Sequence, residues 1–215
     1  MKHAKIRRTT PQKIKTIIFD FGNVLVVDTE KAFEEMFDLH RMPKARRDRY
    51  EAASHCTERG EKPTLHLLQV MKEEFNLPLS TAELNEIMVS SELIRPMWNL
   101  LQQLRKNYQV AILSNNQKDW PKETAKRLGI DLKGIPFFNS AVIGSRKPLK
   151  EPYEFALKKL KANAAETLFI DDKKANVQTA SKLGIHGILF SGNIQDLMLK
   201  LKKSGVVATM NGLDK

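Results

Sequence analysis

Short apolar runs alternate with longer segments of helical periodicity along most of the sequence. Five runs are rich in β-branched residues: 16–19, 109–113, 141–143, 167–170 and 187–190. Helical spacing of apolar residues follows at 94–106, 119–128, 150–161, 174–183 and 194–203. Such alternation is typical of parallel βαβ units. We therefore predict an α/β fold, a Rossmann-like parallel sheet with helices on both faces.

The first two runs are separated by about 90 residues, far more than one crossover helix needs. Residues 29–92 have helical periodicity throughout and include Ser80 and Glu83 at the spacing of a capping box. We predict that this segment is a helical cap inserted into the α/β core. The predicted division is a basic N-terminal leader at 1–12, a core at 13–28 and 93–203, the cap at 29–92 and a C-terminal tail at 204–215.

Composition narrows the classes of protein that the chain can represent. Cys56 is the single cysteine, which excludes an internal disulfide and any multi-cysteine metal site. No apolar run approaches the roughly 20 residues of a membrane span, so we predict a cytoplasmic protein without a membrane partner. The net charge is +11, and residues 1–15 contribute six basic residues and no acidic one. We interpret this leader as a solvated terminus and do not expect a nucleic-acid partner.

Polar residues follow the predicted strands where each strand ends. Asp20 follows the first run, Ser114 the second, and Asp171 the fourth, while Lys147 lies in the loop after the third. Carboxyl ends of parallel strands share one edge of a sheet, where ligands bind. Carboxylates that face one another repel, and Mg²⁺ relieves the repulsion through oxygen ligands. One carboxylate, a hydroxyl and a lysine are then suited to phosphoryl transfer.

Four segments resemble the sequence motifs of the haloacid dehalogenase-like hydrolase superfamily, in the family's order. The segments are 17–25, 110–115, 146–148 with the following Tyr153, and 168–176, and the resemblance covers about residues 15–203. Gly22 and Asn23 after Phe21, together with the paired aspartates, are most similar to one branch. That branch holds the bacterial glucose-1-phosphate phosphatases and the N-terminal phosphatase domain of soluble epoxide hydrolases.

The resemblance implies roles for the acidic residues. Asp20 would be the nucleophile that forms an aspartyl-phosphate. Asp172 and the carbonyl of Gly22 would bind Mg²⁺ together with Asp20, and Asp171 would hold the ion or its waters. Asn176 would orient the acidic loop.

The resemblance also implies a phosphate-binding set. Ser114 and the Asn115 amide would bind the phosphate, and Lys147 would steady both the phosphate and the carboxylates. We expect the neighbouring Arg146 and Lys173 to face solvent.

One position departs from the family pattern. Most phosphatases of the superfamily carry an aspartate two residues after the nucleophile as general acid and base, and this chain has Gly22. Loss of a positioned acid typically lowers a rate by about 10² to 10⁴. A substrate with a good leaving group, a cap histidine (His40, His55 or His66) or phosphate binding without turnover would each account for the glycine.

The sequence thus predicts a Mg²⁺-dependent phosphatase for a small phosphorylated metabolite such as a sugar phosphate. Two alternatives stay open: a catalytically weak phosphate-binding regulator, and a haloacid dehalogenase. The sequence makes no prediction of the substrate's identity or of the oligomeric state.

Overall fold

A five-stranded parallel sheet forms the centre of the computed structural model, which describes residues 13–209. The strand order is β3-β2-β1-β4-β5. The strands are β1 (Thr16–Phe19), β2 (Gln109–Ser114), β3 (Phe137–Asn139), β4 (Thr167–Asp171) and β5 (His186–Leu189). This architecture confirms the predicted α/β class, and β1 lies at the centre because it pairs with both β2 and β4.

Residues between β1 and the second strand are helical, as the periodicity predicts. The helices are α1 (Thr29–Met36), α2 (Lys44–Glu58), α3 (Thr64–Glu74) and α4 (Thr81–Met88), with a 3-10 turn at Leu39–Arg41. Ser80 and Glu83 form the predicted capping box of α4. The four helices pack around their own hydrophobic cluster, which Trp120 joins from elsewhere in the described chain. This packing supports the proposed cap at 29–92.

All of the remaining helices except the short one at Ser140–Ile143 follow the predicted segments to within about two residues. The remaining helices are α5 (Arg95–Leu104), α6 (Trp120–Leu128), α7 (Ser140–Ile143), α8 (Glu151–Leu160), α9 (Lys174–Lys182) and α10 (Ile194–Lys203). Gly129 ends α6 in the left-handed conformation, with φ 63°, which a residue without Cβ adopts at little cost.

The prediction of the third strand is wrong. Residues 141–143 belong to α7, and the strand lies just before them as β3. The Asn139 side chain accepts a hydrogen bond from the N–H of Ala141 and caps the short helix, which ends at Gly144 with φ 81°. A run of three apolar residues is too short for its periodicity to distinguish a strand from a helical turn.

Alternate residues of β1 pack on opposite faces of the sheet. Ile17 and Phe19 share a cluster with residues of α5 and α10, whereas Ile18 shares one with residues of α8 and α9. Helices therefore cover both faces, and the polar site is left at the carboxyl edge of the strands.

None of the helices in the described part of the chain has the length and hydropathy of a bilayer span. The predicted leader at 1–12 and residues 210–215 of the predicted tail lie outside the described residues.

Candidate active site

The parallel pairing of β1 with β2 and β4 brings three predicted site residues to one edge of the sheet. Asp20 directly follows β1, Ser114 is the last residue of β2, and Asp171 is the last residue of β4. The main-chain N–H of Asp20 donates to the carbonyl of Ile170 at 2.8 Å, so the ladder reaches the residue that carries the carboxylate.

Lys147 lies between two of these carboxylates. Its side chain is 1% exposed, and Nζ lies 2.8 Å from Asp20 Oδ1 and 2.7 Å from Asp171 Oδ2. The Asn115 side chain holds the main chain of Lys147 through two hydrogen bonds, both 2.8 Å long. Burial lowers the pKa of Lys147, but Asp171 and Asp20 together raise it by more, so the group stays a cation.

The two carboxylates that contact Lys147 differ in acidity. Burial, assisted by the negative charge of Asp171, raises the pKa of Asp20 to about 8 against the opposing effect of Lys147. Burial acts on Asp171 in the same direction, but Lys147, with hydrogen bonds from Lys173 and Asn176, brings its pKa below the ordinary value. Asp171 is therefore the anion that pairs with Lys147, and ionisation of Asp20 is costly until another cation is nearby.

The oxygens of Asp171 are already used, and those of Asp172 are not. Asp171 accepts from Asn176 Nδ2 with both oxygens at 3.0 Å and from the N–H of Lys173 at 2.7 Å. Asp172 Oδ2 accepts from Asn23 Nδ2 at 3.3 Å. Asp172 Oδ1 is buried and has no hydrogen-bond partner among the described residues. A buried carboxylate oxygen in this state is suited to bind a cation.

The three aspartates fit a divalent metal ion. Asp20, Asp171 and Asp172 each offer one oxygen, and these atoms lie within 4.8 Å of one another. Mg²⁺ prefers such hard oxygen ligands. The donor chemistry and the unpartnered oxygen of Asp172 thus both agree with the predicted magnesium site.

The loop after β1 is shaped by Asn23. This residue has φ 53°, in the left-handed region that asparagine tolerates better than most residues. Its N–H donates to the carbonyl of Val26 at 2.7 Å. Its side chain links two acids: Nδ2 donates to Asp172, and Oδ1 accepts from the N–H of Asp28 at 3.1 Å. In the sequence, Asn23 served only to assign the chain to one branch of the superfamily. In the structure, its side chain links Asp172 to Asp28.

The predicted phosphate-binding residues lie at the edge of the site. Ser114 is 1% exposed, and its Oγ donates to the carbonyl of Asn115 at 3.3 Å. Asn115 and Asn116 line the pocket beside Asp20. Because Lys147 occupies the Asn115 side chain, the main-chain N–H of Asn115 is the group left for an anion. Phosphate contacts from Ser114 and Asn115 stay predictions.

A pocket of about 530 Å³ joins the strand ends to the predicted cap. Its floor includes Asp20 and Lys147, and its wall includes residues of α1 and α2. Two of the candidate histidines, His40 and His55, line this pocket, and His66 does not.

Two acids of α1 were missed by the sequence reasoning. Glu30 Oε1 accepts from Ser54 Oγ at 2.7 Å and from the Tyr50 hydroxyl at 3.0 Å. Burial, assisted by the charge of Glu30, raises the pKa of Glu34 to about 7. Their spacing of four residues places both acids on one helix face, which is the signal that could have indicated them.

The expectation that Arg146 faces solvent is wrong. Its Nε lies 2.5 Å from Glu58 Oε2 at the end of α2, and its side chain is 22% exposed. Burial, assisted by Glu30 and opposed by Arg146, raises the pKa of Glu58 to about 7. Lys173 has an exposed side chain, but it also lines the pocket rather than simply facing solvent. Burial lowers its pKa, and the nearby charges of Asp28, Asp20 and Asp172 raise it by more. The ion pair connects distant segments of the chain, so no local spacing could reveal it.

Comparison with known proteins identifies a family and two relatives. The family model for haloacid dehalogenase-like hydrolases matches residues 14–184. The D-ribitol-5-phosphate phosphatase of Bacteroides thetaiotaomicron is 26% identical over 183 residues, which cover 80% of this chain and 89% of that protein. The sesquiterpene phosphatase astK of Aspergillus oryzae is 43% identical over 61 residues, and this match spans 28% of the chain and 31% of that protein.

A similar fold occurs in a solved structure. It is the HAD family enzyme bt-2542 of Bacteroides thetaiotaomicron in complex with magnesium and inorganic phosphate, with a TM-score of 0.67 and 21% identity. The match covers 84% of this chain and 96% of that one.

Proposed function

We propose that this chain, which belongs to the haloacid dehalogenase-like hydrolases, is a Mg²⁺-dependent phosphatase that acts on a small phosphomonoester. The observation that carries the proposal is the convergence of Asp20, Asp171 and Asp172 beside the buried cation of Lys147. A nucleophilic carboxylate, a cation that orients it and two further acids for a metal are the groups that phosphoryl transfer to an aspartate needs.

Mg²⁺ would be held by the free oxygens of Asp20 and Asp172 and by the carbonyl of Gly22. Asp171 would act mainly through Lys147, because its own oxygens accept hydrogen bonds from Asn176 and Lys173. When bound, the ion supplies positive charge that neutralises phosphate oxygens and lowers the cost of ionising Asp20.

The chain's own groups perform the remaining steps. Asp20 is fixed through Oδ1, which accepts from the N–H of Phe21 at 2.6 Å and pairs with Lys147. Its carboxylate attacks phosphorus, and the bond from phosphorus to the leaving oxygen breaks. Water then attacks the phosphorus of the aspartyl-phosphate, so that inorganic phosphate leaves and Asp20 is regenerated. Lys147 and the N–H of Asn115 orient the phosphate oxygens throughout.

The pocket wall favours a hydroxylated leaving group. Glu30, Glu34 and Ser54 offer oxygen acceptors and a hydroxyl where the substrate would extend from the phosphate. Such groups can bind sugar or sugar-alcohol hydroxyls, whereas a long hydrocarbon offers them no hydrogen bond. The ribitol-5-phosphate phosphatase, which aligns over most of both chains, supports a sugar-alcohol or sugar phosphate as substrate.

The test is release of inorganic phosphate from a panel of sugar phosphates, with Mg²⁺ and with EDTA. We expect turnover that EDTA abolishes, and a loss of at least about 10³-fold in Asp20→Asn, which lacks the nucleophile. Asp48→Asn makes the same chemical change on the exposed surface of α2 and should retain activity. Equal rates in Asp20→Asn and the unmodified protein would contradict the proposal.

Gly22 favours a second candidate, a phosphate-binding regulator without efficient turnover. An aspartyl-phosphate analogue that stays bound at Asp20 in a protein that releases no phosphate would support it. Halide release from a haloacid that persists in EDTA would support a dehalogenase instead.

A further inference from the structure

The space beside Gly22 is occupied by a carboxylate from another part of the chain. A Cβ placed on Gly22 would lie 3.3 Å from Asp28 Oδ2 and 3.5 Å from Asp28 Cγ. An aspartate at position 22 would extend its carboxyl group from that Cβ, with oxygens about 2.4 Å away by ordinary bond geometry. Asp28 therefore carries its carboxyl group within the reach of a side chain borne by residue 22.

Asp28 is held firmly with one oxygen to spare. It is the N-cap of α1, where Oδ1 accepts from the N–H of Lys31 at 3.2 Å. Its own N–H donates to Asn23 Oδ1, and its carbonyl accepts from the N–H of Ala32. None of the described residues donates a hydrogen bond to Oδ2 of Asp28. This oxygen is the atom nearest to the Cβ position of Gly22. Asp28 also lines the pocket together with Asp20.

We propose that Asp28 is the proton donor and acceptor that replaces the acid absent at Gly22. The inference rests on the proposed phosphatase function and adds a catalytic residue to it. For this role, the loop after β1 must bring Asp28 back toward the nucleophile. The Asn23 side chain holds the loop in this shape through hydrogen bonds with Asp28 and Asp172.

The proton balance has two parts. As the bond from phosphorus to the leaving oxygen breaks, the Asp28 carboxyl gives its proton to that oxygen, and the alcohol leaves neutral. The Asp28 carboxylate then takes a proton from the water that attacks the aspartyl-phosphate. Phosphate and a protonated Asp28 result, so one water is consumed for each phosphomonoester hydrolysed.

Leaving-group dependence separates proton donation from a structural role. An alkoxide leaving from a sugar phosphate is strongly basic and needs the proton, whereas nitrophenolate is weakly basic and does not. The test compares kcat/KM of Asp28→Asn with that of the unmodified protein on ribitol 5-phosphate, glucose 1-phosphate and p-nitrophenyl phosphate. This ratio reports only the steps up to release of the first product.

Asp28→Asn should lose about 10² to 10³-fold on the alkyl phosphates that the unmodified protein hydrolyses, and less than about 5-fold on p-nitrophenyl phosphate. With the latter it should show a burst of nitrophenolate, because the second step also loses its base. Asparagine caps helices as well as aspartate does, so α1 should stay intact. Asp48→Asn is the matched surface control.

A relocation variant tests the same place independently. Asp28→Ser keeps a capping side chain but removes the carboxyl, and Gly22→Asp/Asp28→Ser returns a carboxyl from the other position. We expect the double variant to recover at least about tenfold of the alkyl phosphatase activity that Asp28→Ser loses.

Equal losses on alkyl and aryl phosphates, or no loss on alkyl phosphates, would overturn the role of Asp28. In that case an active unmodified protein and an inactive Asp20→Asn would leave the phosphatase proposal standing. An unmodified protein that releases no phosphate from any of the substrates would overturn both.

Discussion

Replacement of Asp20 by asparagine should stabilise the metal-free protein while it removes activity. Asp20 is 7% exposed, and burial together with Asp171 raises its pKa from 3.8 to about 8. The unfolded chain therefore releases this proton at a lower pH than the folded protein does. The neutral carboxyl group of Asp20 makes its full contribution to the free energy of unfolding at acid pH. This contribution is lost as the pH rises toward 8. The difference between the two pKa values corresponds to about 6 kcal/mol.

Asparagine removes this cost because it is neutral at every pH and can still accept from the N–H of Phe21. Since the site relaxes and admits water when Asp20 ionises, we expect a gain of about 2 to 4 kcal/mol at about pH 8.5. The gain should shrink toward about pH 5, where the carboxyl group of Asp20 keeps its proton. Urea unfolding in EDTA, extrapolated linearly to water, measures the gain at each pH.

Asp171→Asn is the matched variant with the opposite expected sign. Asp171 is the anionic partner of Lys147, so its loss leaves a buried cation with less compensation and should destabilise the protein by about 3 to 5 kcal/mol. Added Mg²⁺ should narrow the gap between the unmodified protein and Asp20→Asn, because binding to the folded state stabilises it. A loss of stability in Asp20→Asn at alkaline pH would refute the reasoning.

Two further predictions concern the contact between the predicted cap and the core. Gly60→Ala should destabilise by about 1 to 3 kcal/mol more than Gly129→Ala in urea unfolding. Both glycines have positive φ, but a Cβ on Gly60 would lie 2.2 Å from the carbonyl oxygen of Ala141, whereas one on Gly129 meets nothing within 4 Å; equal losses would contradict this close approach. Arg146→Ala should cost about 3 kcal/mol at about pH 8 and less at about pH 6, because Glu58, with its pKa raised by burial to about 7, can take up a proton when unpaired. A pH-independent loss would argue against this ion pair.

Local patterns predicted most of the sheet because polar or acidic residues directly follow the apolar strands. Asp20 and Asp171 each follow a β-branched run without a gap, and parallel pairing then places them at one edge. The third strand failed because the run at 141–143 is apolar but short, and the decisive signals were the cap at Asn139 and the left-handed Gly144.

Contacts between distant segments could not be predicted in this way. Arg146 and Glu58 meet only because the turn after α2 packs against α7, and neither residue has a local sequence partner that indicates it. Asp28 is close to Gly22 in sequence, but its direction depends on the left-handed turn at Asn23. A pattern of residue types predicts which side chains lie at the same edge of the sheet. The geometry of the turns determines which of these side chains approach one another.

The pocket differs in charge from the chain as a whole. The chain carries +11, yet six acidic residues and four lysines or arginines line the described pocket, and Asp171 and Asp172 lie directly behind it. The overall basic charge therefore does not explain how a phosphate dianion would bind. Burial raises the pKa of Asp20 to about 8 and those of Glu34 and Glu58 to about 7, so part of this acidic excess is held as neutral carboxyl groups near pH 7. A divalent cation at the aspartates supplies positive charge where the phosphate must approach. On the cap side, Glu30 and Glu34 can exchange hydrogen bonds with neutral hydroxyls, whereas a second anionic group would face acids that burial already makes hard to ionise. We therefore expect this wall to favour a sugar or polyol monophosphate over a bisphosphate or a phosphorylated acid.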